Sequence, residues 1–414
     1  TVLRWREGVA MSRLKVGFLG TGARSVSYAR AFAGEQEIEI VAIADPKEEN
    51  RKTMLQKAGV TDSPEEYSDW RGLLSAHREL DGAVISTPNH LHADPAVACL
   101  ERGIPTAVEK PLATTKEDCE RIIDAERANG GRTVVGFVLR STPFYRTIHD
   151  VIHSGRIGRL VSIQADELVG TIVSSVMNRG PWRRYTRTGG GAMLEKSCHD
   201  LDILNWMTGS RPVSLDSHGR RNIFTPNPAL PGRCEGCKVA DDCLYYKRPR
   251  RSSSEDAGEE VLLEFVREDD QCIYNIDKDI VDTQSVIIEY ENGALCTFML
   301  TFNCPGPHAA RNFHAIGVGG RVWGNLHDNE VFVYSNADDS LERIDTSGDG
   351  SGHGGGDRLH ALELHRMMTD DSYRPQQDAA AGYLSAVMSF ATDLARTEGR
   401  RLYFRYGASR IHLV

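Results

Sequence analysis

The sequence lacks several things, and each absence removes a class of protein. No apolar run in its 414 residues approaches the roughly 20 needed to span a bilayer. The opening TVLRWREGVAMS lacks the apolar centre of a signal peptide, so a cytoplasmic protein with no membrane partner is expected. No long basic run is present to track a phosphate backbone. With 49 basic against 58 acidic residues the formal charge is −9, which speaks against a nucleic-acid partner. The 9 cysteines are too few and too unevenly spaced for a disulfide scaffold, and a reducing compartment would keep them as thiols or metal ligands. What remains is an average globular composition, 40% hydrophobic and 26% charged, in a chain long enough for two domains with a core each.

Residues 1–13 read as a tail. From Leu14 the pattern becomes regular: an apolar run (LKVGFL), a glycine-containing turn, a helical stretch through Phe32, and a second apolar run (IEIVAIAD) ending at Asp45, which together make a βαβ unit. Helical segments near 47–58, 66–77, 93–102 and 115–129 then alternate with the strand-like GAVIST, PTAVE and TVVGFV. Such alternation predicts an α/β, doubly wound parallel sheet, a Rossmann domain over 14–140. Further on, LVSIQADE, QSVIIEYENG, ALCTFMLTF and EVFVYS read as strands, with Asn292-Gly293 as a hairpin signal. Residues 141–414 are therefore expected to form an α+β domain with a large, mostly antiparallel sheet. Helices are expected near 143–154, 190–208 and 378–397, the last packing back on the first domain. The runs over 250–260 and 347–356 read as mobile loops.

Gly20-Thr21-Gly22-Ala23-Arg24-Ser25 follows a predicted strand and opens a predicted helix. In that setting glycines permit a tight turn and let backbone N–H groups approach a pyrophosphate. Asp45 ends the next strand, where a carboxylate accepts hydrogen bonds from a ribose diol and repels a 2′-phosphate, so NAD is expected over NADP. The plainer alternative is a bare turn with Asp45 as a helix cap. Thr87, Pro88, Asn89 and His92 end a later parallel strand and are expected to line the nicotinamide half of the cleft, with Glu109 and Lys110 beside them.

Glu109-Lys110-Pro111 ends PTAVE at the same edge, where a lysine can act on a substrate hydroxyl; Pro111 is read as following a cis bond. Taken alone, this tripeptide is also a common surface turn. In GGGAMLEKSCHDLDILNWMTG, Glu195, Lys196 and His199 can share one helical face, and a Glu one turn from a His can fix its tautomer for acid/base work. Cys198, beside His199, is phased away from that face and reads as structural. Arg179, Trp182, Arg183 and Arg184 form a candidate substrate segment, with Arg140 added: guanidinium forks bind anionic oxygens, and Trp182 can stack on a sugar. The alternative there is a solvated loop or subunit contact.

Together GFLGTGARS, STPNHLH, AVEKPLATT, the GGG to CHDLDILNWMTG segment and VDTQSVIIEYENGALCTFML resemble the Gfo/Idh/MocA family of sugar and inositol oxidoreductases, over nearly the whole chain from residue 14. The resemblance implies NAD(P) binding, a C-terminal sheet used for substrate and oligomer contacts, and hydride transfer from a sugar ring carbon. Lys110 matches the family's catalytic lysine and His199 its acid/base histidine; Glu195 stands where the family often has Asp, and Ser25 departs from the glycine fingerprint. The family includes glycosidases that keep NAD bound, oxidise a ring hydroxyl (usually at C3), eliminate the aglycone, add water and reduce the ketone again. Lys110, Lys196 and His199, with Tyr145 as an extra donor, would serve that sequence. The arginines then lead us to expect redox-neutral hydrolysis of an anionic glycoside such as a sulfoquinovoside or uronide. The alternatives are an ordinary sugar or inositol dehydrogenase and a non-enzymatic sugar- or NAD-sensing regulator. A homodimer or homotetramer is expected, since an antiparallel sheet with an open apolar face usually finds a partner.

Cys234, Cys237 and Cys243 sit at spacings that suit a structural zinc site, with Cys272 as fourth ligand; free thiols are the alternative. His353, in SGHGGGD, reads as part of a mobile loop that Asp357 caps at the next helix.

Overall fold

The computed structural model describes residues 13–246, 262, 270–305, 311–348, 350 and 352–414. The tail through residue 12 and the loop over 250–260 lie outside the described residues.

The first half alternates strand and helix: β1 (Leu14–Leu19), α1 (Ala23–Ala33), β2 (Ile38–Ala44), α2 (Glu48–Ala58), β3 (Glu65–Tyr67), α3 (Trp70–Ala76), β4 (Gly82–Ile85), α4 (Ala93–Leu100), β5 (Thr106–Val108), α5 (Lys116–Asn129) and β6 (Thr133–Val135). Every pairing is parallel and the order is β3-β2-β1-β4-β5-β6, so the strand order reverses between β1 and β4. That reversal opens a crevice at the C-terminal strand ends, which is where both the glycine turn and Lys110 fall. The strands are apolar throughout because both faces are covered. Val16, Phe18, Ile43 and Val84 pack on Phe32 and Val26 of α1, whereas Leu19, Ile85 and Val108 pack toward α4 and α5. Helix ends follow local chemistry: the Thr115 side chain accepts from the Asp118 N–H at the start of α5, and Gly130 closes it in the left-handed region. Strand β3 and the helix α7 below were not anticipated; both are short and polar enough to lack a clear period.

The remainder follows as α6 (Pro143–His153), β7 (Leu160–Leu168), α7 (Thr171–Arg179), α8 (Thr186–Gly189), α9 (Ala192–Thr208), β8 (Pro212–Arg220), β9 (Thr283–Tyr290), β10 (Leu295–Thr301), β11 (Asn312–Gly317), β12 (Gly320–Asn325), β13 (Glu330–Ser335), β14 (Leu341–Asp345), α10 (Gly352–Thr369), α11 (Ala379–Glu398), β15 (Leu402–Tyr406) and β16 (Ile411–Leu413). Ten strands form one sheet, ordered β14-β13-β12-β11-β7-β10-β9-β8-β15-β16, antiparallel except where β7 meets β10. β9 and β10 form the expected hairpin, with Gly293 at φ 82 in its turn. Their alternating burial leaves one face of the sheet open, and Ile287, Leu295, Met299 and Ile316 are exposed on it. The other face packs on α9, which is buried on almost every side.

Two C-terminal helices cross back to the first sheet. α11 lies between α9 and α5: Tyr383 Oη donates to Glu120 (2.7 Å) and Ser385 Oγ to the Cys198 carbonyl (2.7 Å). α10 contributes Ala361, Leu364 and Met367 to the core shared by β1 and α1. The described part of the glycine-rich run before it is therefore folded against the first sheet, where a mobile loop was expected. Among the described residues no helix is long and apolar enough to cross a membrane.

Candidate active site

One cleft of about 1730 Å³ runs along the C-terminal edge of the first sheet and under the second. At its first end, Gly20 (φ +97) carries the chain past β4 so closely that a Cβ would stand 2.6 Å from the Ser86 carbonyl carbon and the Thr87 nitrogen. Only glycine fits there. Gly22 precedes α1 with no side-chain cap, which leaves the helix's first N–H groups facing the cleft. Asp45 lies beside this turn, accepting from the Thr21 N–H (3.1 Å), the Lys47 N–H (2.9 Å) and Asn50 Nδ2 (3.3 Å). Thr21 Oγ1 and Thr87 Oγ1 are buried with no hydrogen-bond partner among the described residues. A glycine cradle that a Cβ would fill, an uncapped helix start, a carboxylate at the end of β2 and orphaned hydroxyls together fit a dinucleotide. Gly20, Gly22, Ala23, Arg24, Asp45, Thr87, Pro88, Asn89, His92, Glu109 and Lys110 all line the cleft, whereas Ser25 is buried and donates to the Gly22 carbonyl (2.5 Å). His92 sits between the carbonyls of Thr87 (2.9 Å) and Pro111 (2.8 Å), clamping the ends of β4 and β5, and Asn89 Nδ2 donates to the Gly189 carbonyl (3.0 Å).

The other end holds the acid/base groups. The Lys110–Pro111 peptide is cis. Lys110 Nζ donates to the Glu195 carbonyl and stands 3.8 Å from Glu195 Oε2, while Arg183 Nε reaches Glu195 Oε1 at 2.9 Å. Burial opposes ionisation of Glu195, but the Lys110 and Arg183 charges outweigh it and hold its pKa below the ordinary carboxylate value. Glu195 thus serves the lysine, and the expected pairing of Glu195 with His199 is absent: at the N-terminal end of α9 its side chain turns toward β5. The His199 ring packs edge-on to Phe137 (6.0 Å), and its Nδ1 is buried without a partner among the described residues. Burial first, then the charges of Lys110 and Arg311, hold His199 well below the ordinary imidazole value, so the ring is neutral. Lys196 pairs with Glu167 on β7 (3.0 Å), and Arg311 bridges Glu167 (2.6 Å) and Asp200 (2.7 Å). Burial raises Asp200 to about 6 against the pull of Arg311.

Several expected substrate contacts lie elsewhere. Arg140 is buried in a two-bond ion pair with Asp202 (Nε–Oδ2 2.7 Å, Nη2–Oδ1 2.5 Å) and donates to the Gln376 carbonyl (3.1 Å). Arg179 is buried, donating to the Tyr245 carbonyl (2.5 Å), and its carbonyl accepts from Arg184 Nη1 (2.8 Å). Neither Arg140, Arg179 nor Arg184 lines the cleft, whereas Trp182 and Arg183 do, with the guanidinium 4.0 Å over the indole. Tyr145 is buried edge-on to Phe144 (5.0 Å) and Phe313 (5.9 Å) and also stays outside the cleft. In each case a buried partner outcompeted the cavity, which no sequence pattern displays. Cys198 is buried and its thiol is pushed up to about 12, so it is no nucleophile.

The zinc expectation also fails to find its site. The strand-like return of Cys272 beside Cys234 does occur, through Cys234 N–H to the Asp270 carbonyl (2.9 Å) and Cys272 N–H to the Gly232 carbonyl (3.0 Å). Yet among the described residues no group of three or more His, Cys, Asp or Glu could hold a metal ion. Cys234 Sγ instead lies 3.6 Å from Arg179 Nη2, a cation where a second cation would have to sit.

Sequence reasoning missed three residues here. Arg311 on the approach to β11 closes the cleft from the second sheet, and His353 and Asp357 of α10 enter it from the far end of the chain. Asp357 accepts from both Nη atoms of Arg24 (3.1 Å each) and from Ser27 Oγ (3.0 Å). The available signal was the Gly-His-Gly-Gly-Gly-Asp run itself, in which consecutive glycines beside a His and an Asp one turn apart mark a backbone that must approach something closely.

Fold and cleft define a Rossmann-type oxidoreductase with a second, sheet-bearing half. Residues 14–137 match the model of GFO_IDH_MocA, an oxidoreductase family with an NAD-binding Rossmann fold, and residues 145–323 match the GFO/IDH/MocA C-terminal domain. The chain belongs to the Gfo/Idh/MocA family of NAD-binding oxidoreductases. It is 28% identical over 388 residues to YteT of Bacillus subtilis, a protein named only provisionally as an oxidoreductase, covering 87% of this chain and 88% of that one. It is 29% identical over 208 residues to the rhizopine catabolism protein MocA of Rhizobium meliloti (50% of this chain, 60% of that one). It is also 29% identical over 196 residues to inositol 2-dehydrogenase of Salmonella typhimurium (47% and 54%). The last two matches thus reach over little more than half of those proteins. Among solved structures, levoglucosan dehydrogenase in complex with NADH and levoglucosan superposes with a TM-score of 0.71 at 20% identity, covering 95% of this chain and 99% of that one. An Agrobacterium radiobacter oxidoreductase bound to NAD+, L-tartaric acid and magnesium gives 0.71 at 16% identity, covering 95% and 98%. At these identities the likeness is one of fold.

Proposed function

We propose that this protein is an NAD-dependent dehydrogenase that oxidises a ring secondary alcohol of a neutral sugar or cyclitol. The observation that carries this reading is the meeting of Lys110 and His199 in the cleft that also holds the Gly20 turn. Bound NAD supplies the hydride acceptor. Gly20, Gly22 and the start of α1 would hold its pyrophosphate and Asp45 its ribose diol, which favours NAD over NADP. Lys110 Nζ, steadied by Glu195, donates to the oxygen of the reacting hydroxyl and polarises it as its proton leaves. His199, a neutral imidazole, is available to accept a proton. Val173, Val176 and Met177 of α7 form an apolar wall that limits water around the reacting carbon.

The cleft's own charges favour a neutral substrate over the anionic glycoside expected from the arginines. Of those arginines only Arg183 reaches the cleft, and Glu195 already matches its charge; Arg311 is matched by Glu167 and Asp200. The names of the relatives favour net dehydrogenation, and nothing in the cleft adds weight to glycoside hydrolysis. A second copy of the chain is the proposed partner, seated on the open sheet face that carries Ile287, Leu295, Met299 and Ile316, giving a homodimer or homotetramer.

The test is a panel of cyclitols, neutral sugars, uronates and aryl glycosides with NAD+, following NADH and aglycone separately. NADH accumulation with neutral polyols is expected, and Lys110→Met should lower kcat by about 10²–10⁴ while NADH still binds. Aglycone release without NADH would return the protein to the redox-neutral hydrolases. Full function in Lys110→Met would favour a regulator.

A further inference from the structure

The glycine-rich run before α10 has no part in the reading so far. Its residues His353 (φ 55, ψ 44), Gly354 (φ 64, ψ 31) and Gly355 (φ 91, ψ 4) are consecutive and left-handed. For the two glycines that costs little, but a histidine in this region bears roughly 1–3 kcal/mol of strain, and something must hold it there. What holds it is Asp357: His353 Nδ1 lies 3.0 Å from Asp357 Oδ1, and Asp357 is itself fixed by Arg24 and Ser27 from α1. The strained turn aims the ring inward. His353 lines the same cleft as Lys110 and His199, with its ring centroid 6.2 Å from that of His199. Two imidazoles at that spacing can both reach one oxygen at a hydrogen-bond length of about 2.8 Å.

The two histidines are supported differently. His199 has no carboxylate partner, because Glu195 is engaged by Lys110 and Arg183. His353 has one: the carboxylate of Asp357 accepts from Nδ1–H, which fixes the tautomer and leaves the acceptor lone pair on Nε2, the arrangement a general base needs. We propose that His353, oriented by Asp357, is a second acid/base residue of this site and takes the proton of the substrate hydroxyl. The inference rests on the dehydrogenase reading above. In the step, the substrate O–H bond breaks and an Nε2–H bond forms on His353. The carbinol C–H bond breaks with its electron pair passing as hydride to the oxidised dinucleotide, C=O forms, and the imidazolium then loses its proton to water. Asp357 is a positioning residue. The titratable and charged groups around His353 are Asp357 and His360 on its own helix, Arg24 on α1 and His199 on α9.

The experiment compares wild type with His353→Gln and Asp357→Asn. The first readout is independent of turnover: imidazole resonances of ring-labelled histidine, assigned by loss in His353→Gln, followed while myo-inositol or glucose is added to the NADH-loaded protein. The His353 resonance should move in step with sugar binding. In turnover with NAD+, His353→Gln should lose about 10²-fold in kcat with NADH affinity and melting temperature unchanged. Asp357→Asn removes the charge that favours imidazolium, so the rising limb of the kcat–pH profile should move to lower pH. If the wild type neither binds nor oxidises any sugar or cyclitol of the panel, the dehydrogenase reading fails and takes this proposal with it. If the wild type is active but the His353 resonance stays still on binding, or His353→Gln keeps kcat and its pH profile, the proposal alone is overturned.

Discussion

The guanidinium of Arg24 grips both carboxylate oxygens of Asp357, at 3.1 Å each, although 333 residues separate them in the chain. Arg24 also reaches Glu109 Oε1 at 3.1 Å, so one side chain joins the cofactor turn, the end of β5 and the start of α10. A two-pronged arginine contact of this kind fixes orientation as well as distance. It makes the nucleotide end and the substrate end of the cleft one rigid body.

Replacing Arg24 by Met should therefore be costly. It leaves Glu109 and Asp357, 4% and 8% exposed, without their cation, and breaking a buried pair from one side costs about 3–5 kcal/mol. We expect a lower urea midpoint together with weaker NADH binding. A variant that loses neither would mean that the anchor is incidental.

Gly20→Ala tests the cradle. The added Cβ would stand 2.6 Å from the Ser86 carbonyl carbon, at φ +97. Strain of about 1–3 kcal/mol is expected from the backbone alone. Fluorescence titration should find NADH binding lost or much weakened, with thermal unfolding at a lower temperature.

Asp45→Ser tests cofactor choice. Charge-assisted hydrogen bonds to the ribose diol are worth about 1.5–3 kcal/mol, or roughly 10- to 100-fold in Kd. NADH should weaken by that factor while NADPH improves. Unchanged preference would move the discrimination to other residues near the ribose.

Arg140 gives a prediction opposite to the one its sequence position invites. Because it is locked to buried Asp202, Arg140→Met should destabilise by about 3–5 kcal/mol without changing the KM of the folded enzyme. Arg140→Met combined with Asp202→Leu should recover much of the loss. A raised KM with stability intact would restore Arg140 to the substrate.

Stability should also fall in acid because of His360. Burial pushes this imidazole, packed edge-on to Tyr28, from 6.5 down to about 4. Its folded pKa lies below the unfolded one, so between those values the unfolded chain holds a proton that the folded chain does not. Stability is full above pH 6.5 and declines as pH falls toward 4, by up to roughly 3 kcal/mol from this residue. Urea midpoints of wild type and His360→Phe measured across that window should differ in slope, the variant being flatter. Parallel slopes would show that His360 is not the source.

Much of this protein was legible in local pattern, and for a physical reason. Parallel strands buried on both faces must be continuously apolar, and a strand-to-helix turn that passes within van der Waals contact of a neighbouring strand must use glycine, so LKVGFL followed by Gly20 and Gly22 states its own role. The hairpin at Asn292-Gly293, the helix carrying His199 and the edge position of Lys110 follow from the same short-range rules. Which carboxylate meets which cation is different, because that is decided by packing between segments far apart in sequence. Glu195, one turn from His199, serves Lys110; Arg140 and Arg179 are buried rather than presented; Tyr145 disappears among aromatics. The run around His353 looked mobile because glycines leave the backbone free, and only α10, docking on the first sheet with Asp357 held by Arg24, removes that freedom. The sequence by itself determined two sheets and a nucleotide turn, since these depend on period and on local backbone sterics. The membership of the acid/base group was decided by tertiary structure, since it depends on which charges are desolvated together.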